Sequence, residues 1–239
     1  MNNLKSAFAL ILVVFTTSCS FTETMTFSKD GSGRLSLQLD FSEAMAFSGD
    51  EIANDASENI DTTFAFRDIL IEKKDSIAQL PFAEQERLKK LEAYQIHILM
   101  NNETKKFIYD IFIDFNDVSQ ASNLSDVLNN INGTATEEGG GMKTESVKVN
   151  YSYKNNVFKR DAYITDKELH QRELDSLSGM EMFLGGMTYG INYSFESNIK
   201  SCNIDEATIS EDRKSLTYEV GYLDYFKNPD ILDMEIVLE

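Results

Sequence analysis

Strict alternation of apolar and polar side chains constrains this chain more than any other feature. Leu35, Leu37, Leu39 and Phe41 alternate with Ser36, Gln38 and Asp40. A period of two over that length means a strand with one buried face. Upstream, Phe21, Met25 and Phe27 fall on one face of an extended segment. Between the two runs stands Asp30-Gly31-Ser32-Gly33, whose glycines supply the positive φ that tight hairpin turns need. A calcium loop is the sharper alternative for this tetrapeptide, but the spaced acids of an EF-hand are missing. The expectation is a hairpin.

The same pattern returns along the whole chain. Tyr94, Ile96, Ile98 and Met100 share a face, and after Asn101-Asn102-Glu103-Thr104 come Phe107, Tyr109, Ile111, Ile113 and Phe115. Val147, Val149, Tyr151 and Tyr153 turn at Lys154-Asn155-Asn156 into Phe158, Arg160, Ala162 and Ile164. Three late strands are expected: Met187 to Phe195, Leu216 to Tyr222, and Leu232 to Leu238, each with its apolar residues at every second position. Helical spacing is found between the strands. One helix is expected over Phe66 to Leu80, and a second has Pro81 as its first residue, where a missing N–H costs nothing. A third covers residues 117 to 131, and a fourth starts at a Thr165/Glu168 capping box and stops near Gly179. The fold class that follows is α+β, a curved and mainly antiparallel sheet built from hairpins with several helices packed on one face. Residues 132–143, glycine-rich and polar, read as a mobile connection, and residues 48–59 as a short helix or an acidic excursion.

The chain has 239 residues, and its 40 acidic and 22 basic side chains leave a formal net charge of −18. Such a surface repels nucleic acid and anionic headgroups. Residues 1–18 break the pattern: Lys5, no acid, an apolar run from Ala7 to Phe15, then Thr16, Thr17 and Ser18. That is the layout of an export signal, and nine apolar residues are about half of the roughly 20 that span a bilayer. Cys19 follows directly. Here the residues resemble the lipobox of bacterial lipoproteins, with Thr16 where that motif usually has Leu. The resemblance implies that residues 1–18 are a signal peptide, and that Cys19 is acylated and tethers a single domain over residues 19–239. No dense acidic cluster follows Cys19, which favours the outer membrane and its periplasmic face.

Catalytic signatures are missing. The sequence contains no HExxH, GxSxG or CxxC pair, and no GxGxxG after a strand. Cys202 reads as a small buried residue at a strand end, because neither His97 nor His170 carries a recognisable nucleophile signature. Asp110 and Asp114 lie two positions to either side of Phe112 on one strand face, with Asp117 beyond. They suit either the wet face of a strand or, on a second reading, an envelope hydrolase. No cofactor or metal is expected. The stretches "DGSGRLSLQLDF" and "ISEDRKSLTYEVGYLDYF", together with the cysteine ahead of them, resemble envelope lipoproteins of the LppM type. That resemblance implies a lipid-tethered α+β domain in the envelope space. The functional expectation is a non-enzymatic binding or assembly module, held to the membrane by acyl chains, with a lipid or an envelope protein as its partner.

Overall fold

Hairpins assemble most of the chain, as the alternation requires. In the computed structural model, which describes residues 20–43, 59–124, 127, 145–179 and 181–239, β1 (Ser20–Phe27) pairs antiparallel with β2 (Gly33–Asp40). Their turn differs from the expected one in one respect. Gly31 alone has the positive φ, +84°. Gly33 is needed for closeness instead, since a Cβ there would meet the Thr26 carbonyl oxygen at 1.9 Å. Asp30 fastens the turn by accepting a hydrogen bond from the Ser32 N–H at 3.0 Å.

β3 (Ile60–Ala65), β4 (Gln95–Asn101) and β5 (Lys106–Phe115) form an antiparallel meander, and β5 also pairs with β2. β6 (Val147–Lys154) and β7 (Val157–Ile164) form the third expected hairpin. Asn155 and Asn156 close it at φ +53° and +61°, a two-residue turn of the kind that asparagine tolerates. β8 (Thr188–Phe195), β9 (Ile199–Cys202), β10 (Thr208–Ile209), β11 (Ser215–Gly221) and β12 (Met234–Leu238) complete the strands.

The expected single sheet is in fact two. One has eight strands in the order β10-β11-β8-β1-β2-β5-β4-β3, and the other has four in the order β6-β7-β12-β9. β1 and β8 run parallel, and the other pairings are antiparallel. Period two marks the buried face of each strand, but it carries no information about which sheet that face is turned from. Buried residues of both sheets form one core. Phe158 of β7 lies 5.1 Å from Phe27 of β1 and 5.2 Å from Tyr193 of β8, ring to ring.

Helices are shorter than their spacing suggests. The stretch from Phe66 to Leu80 breaks at Lys73 into α1 (Phe66–Glu72) and α2 (Lys74–Ile77). Only Phe66 of α1 is buried and Ile71 is 65% exposed, so no continuous apolar stripe holds a longer helix against the core. Pro81 caps α3 (Phe82–Lys89) from outside rather than opening it. The expected capping box is displaced by one residue: Asp166 accepts from the Glu168 and Leu169 N–H groups, both at 2.9 Å, and starts α4 (Lys167–Ser176). Thr165 lies one residue ahead of the cap, and its hydroxyl donates to the Ser146 carbonyl at 3.0 Å.

After α5 (Glu181–Leu184), Tyr222 opens α6 (Tyr222–Lys227) where a strand end was expected, and Pro229–Leu232 is a 3-10 turn ahead of β12. Of the helix expected over residues 117–131, the described part begins as a 3-10 helix, Val118–Asn123, capped by Asp117 and Gln120. The signal peptide, Cys19, the loop at 132–143 and residues 48–58 lie outside the described residues.

Candidate functional site

Two inward positions of the strand pattern carry charge. Glu23 falls between Phe21 and Met25 on β1, and Arg160 between Phe158 and Ala162 on β7. Both side chains are sealed from solvent, and they meet across the two sheets. Arg160 Nη2 donates to Glu23 Oε2 at 3.3 Å, and Nε donates to Oε1 at 3.4 Å. Three tyrosines complete the carboxylate's shell. The Tyr151 hydroxyl donates to Oε1 at 2.9 Å and the Tyr189 hydroxyl to Oε2 at 2.7 Å, while Tyr193 makes a short bond to Oε1. Arg160 also reaches the Leu232 carbonyl and the Tyr225 hydroxyl, each at 3.4 Å, and lies over the Tyr225 ring at 5.6 Å.

Burial by itself raises the pKa of Glu23, but the Arg160 charge and the hydrogen bonds from Tyr193, Tyr189 and Arg160 together outweigh it and hold the carboxyl below its usual range. Burial also works against the charge on Arg160, and Glu23 reverses that, so the guanidinium stays protonated. Tyr151, Tyr189 and Tyr193 are pushed well up, first by burial and then by the Glu23 charge. The cluster therefore keeps one fixed proton arrangement near neutral pH. It acts as a lock between the sheets, because a buried ion pair is tolerable only when its remaining polar atoms are satisfied.

Beside this lock lies an apolar cavity of about 80 Å³, several times the roughly 10–15 Å³ that one water needs. Its walls come from β1 and β2 (Phe21, Leu37), β6 (Val147, Val149), the 118–124 stretch (Ala121, Ser122, Leu124) and the Pro229 turn. Tyr151, Tyr189, Tyr222, Tyr225 and Phe226 supply aromatic surface, and among the described residues no charged side chain lines the cavity. The hydroxyls of Tyr151 and Tyr189 are committed to Glu23. Tyr222 stacks on Phe21 with ring centroids 4.5 Å apart.

A second buried cluster, Ser146, His170 and Glu173, has the residue types of a hydrolase but not the geometry. The Ser146 hydroxyl donates to Glu173 Oε2, and its oxygen lies 2.9 Å from His170 Nδ1. Glu173 Oε1 accepts the Glu145 and Ser146 amides at 2.9 and 3.3 Å. Serine sits between acid and imidazole with its proton given to the acid, whereas a nucleophile needs the imidazole in the middle. The cluster clasps the start of β6 to α4.

Residues singled out from sequence are dispersed. Cys202 ends β9, half-buried, and burial pushes its thiol pKa up, which lowers its thiolate content. His97 lies on the eight-stranded sheet, 2.9 Å from Asp61. Asp114 is paired with Arg34 at 2.6 and 2.8 Å, and Asp110 accepts from the Ser36 hydroxyl. Among the described residues no group of three His, Cys, Asp or Glu side chains is placed to hold a metal. Glu23 and Arg160 were not anticipated. The signal that would have found them is two opposite charges at inward positions of otherwise apolar strand faces.

Comparison with protein-family models and with curated proteins finds no match. Among solved structures, the folded domain of LppM from Mycobacterium tuberculosis, determined by NMR, aligns with a TM-score of 0.42 at 7% identity, covering 92% of this chain and 89% of that one. No residue role is carried across.

Proposed function

We propose that the chain is a membrane-tethered envelope lipoprotein whose domain is a non-enzymatic binding module, taking the apolar part of a lipid into the cavity between its sheets. The cavity carries this reading: it is walled by apolar surface from both sheets, without a charged side chain among the described residues, and an apolar space of this kind favours hydrocarbon over water. Among the described residues no helix is long and apolar enough to cross a membrane. An acylated Cys19 would supply attachment, with β1 beginning at the very next residue. The periplasmic face of the outer membrane is the address we favour. For the alternative, an envelope hydrolase working through Asp110 and Asp114, both carboxylates are already engaged by Ser36 and Arg34.

Two measurements test the proposal. Native mass spectrometry of the full-length protein, extracted gently from envelopes, is expected to show a retained lipid. A protein that consistently comes out empty, yet crosslinks stoichiometrically to an envelope protein, would replace the carrier with an assembly factor. Radiolabelled fatty acid is expected to enter the wild type but not Cys19→Ala. Equal labelling of the two would remove the tether.

A further inference from the structure

We propose that the cavity selects a neutral acyl ester, whose carbonyl oxygen is held by the hydroxyls of Tyr222 and Tyr225 while its hydrocarbon chain fills the apolar space. The inference rests on the lipid-binding reading above and adds the chemistry of the ligand's polar end. Its first support is the absence of a counter-charge. Glu23 and Arg160 neutralise each other behind the tyrosine rings, and each Arg160 nitrogen already has an acceptor. A carboxylate, phosphate or ammonium entering the cavity would lose its water without gaining an opposite charge.

Its second support is a pair of unspent donors. Tyr222 is 3% exposed and lines the cavity, yet its hydroxyl makes no hydrogen bond among the described residues. Tyr225 accepts from Arg160 Nη2 at 3.4 Å and donates to no acceptor among the described residues, and the guanidinium polarises that O–H into a better donor. The two residues stand three apart on α6, on one face of the helix. Of the cavity's other hydroxyls, Tyr151 and Tyr189 donate to Glu23, and the Ser122 oxygen accepts the Tyr151 amide at 3.2 Å. A plain hydrocarbon would leave both free donors unsatisfied, whereas one carbonyl oxygen has two lone pairs for them.

The test displaces a neutral naphthylamine dye from the full-length protein with methyl decanoate, undecane, which has no acceptor, and decanoate. The wild type should hold methyl decanoate roughly tenfold more tightly than Y222F/Y225F does, the worth of two modest hydrogen bonds. Undecane should bind the two proteins equally. Decanoate should bind the wild type more weakly than the ester. Equal binding of the ester by the wild type and a folded Y222F/Y225F, or preference for decanoate, overturns the inference while leaving a lipid-binding cavity in place. Failure of dye and probes alike overturns the binding reading and this inference with it. Should the double variant prove unfolded, Y222F and Y225F singly decide the matter, each expected to lose about threefold for the ester and nothing for undecane.

Discussion

Arg160→Met is expected to lower the stability of the protein by roughly 3–5 kcal/mol, read as a fall in the urea midpoint at unchanged slope. Among the described residues the guanidinium is the only cation bonded to Glu23, and its removal leaves a carboxylate with no access to water. Three tyrosine donors remain, which places the loss toward the lower end of that range. Adding Glu23→Gln should restore much of the loss. The amide oxygen can still accept from Tyr151 and Tyr193, its NH₂ can donate to Tyr189, and no charge is left buried. A double variant no more stable than Arg160→Met would show that the damage was lost packing rather than an unpaired charge.

The same residue sets a pH dependence whose sign follows from its shift. Burial pushes the Glu23 carboxyl up, Arg160 and the tyrosines push it down, and the balance lies below the ordinary value. A folded-state pKa below the unfolded value of about 4.3 means a stabilising contribution that is fully present above that pH and is lost as pH falls through the folded value. The wild type should therefore lose this contribution below about pH 4, whereas Glu23→Gln should lack that component of the acid transition. In Arg160→Met the largest of the lowering influences is gone, so this component of the acid transition should begin at higher pH than in the wild type.

What could be read from sequence, and what could not, divides along a physical line. Every expected hairpin exists because alternation and turn chemistry are local: Asp30 and Gly31 make one turn, and Asn155 and Asn156 another. Pairing between distant strands leaves no such local mark. Nothing near Phe21 says that β1 lies beside Tyr189 of β8, yet that parallel pairing brings Tyr189 and Tyr193 to Glu23. The starts of the expected helices were legible to within a residue or so and their lengths less well, while α5 and α6 were not foreseen. At Thr165 the local pattern is off by one: Asp166 accepts the first amides of the helix, and the Thr165 hydroxyl donates to Ser146, a contact between segments that no local pattern shows. The cavity was the least legible feature. Phe21, Val149, Tyr189 and Tyr222 come from four separate segments, and each is an ordinary core residue in its own strand or helix. Glu23 and Arg160 were visible as exceptions to the pattern, but only the fold shows that they are each other's explanation.

Removing residues 230–239 is expected to abolish cooperative folding, the largest effect foreseen here. β12 is an interior strand of the four-stranded sheet, bonded to β7 on one side and β9 on the other, so its loss separates β9 from the rest of that sheet. Leu232, Met234, Ile236 and Leu238 are all buried in the shared core. At about 1.5–3 kcal/mol for each such side chain, their contribution is roughly 6–12 kcal/mol, comparable to the whole stability of a typical domain at about 5–15 kcal/mol. Two polar contacts go with them. The Leu232 carbonyl is an acceptor for Arg160, and the Asp233 carboxylate accepts the Ala162 amide at 2.7 Å. The deletion therefore also loosens the Glu23 lock from its far side. Calorimetry of the truncated protein should show no sharp transition, and its near-UV dichroism should collapse. Ile236→Ala offers a graded version, with an expected loss of about 2–5 kcal/mol at a position that is fully buried and central in the strand. A truncated protein that melts cooperatively within a few degrees of the intact one would show that the first sheet and β6–β7 fold without β12, and that the segment is a tail.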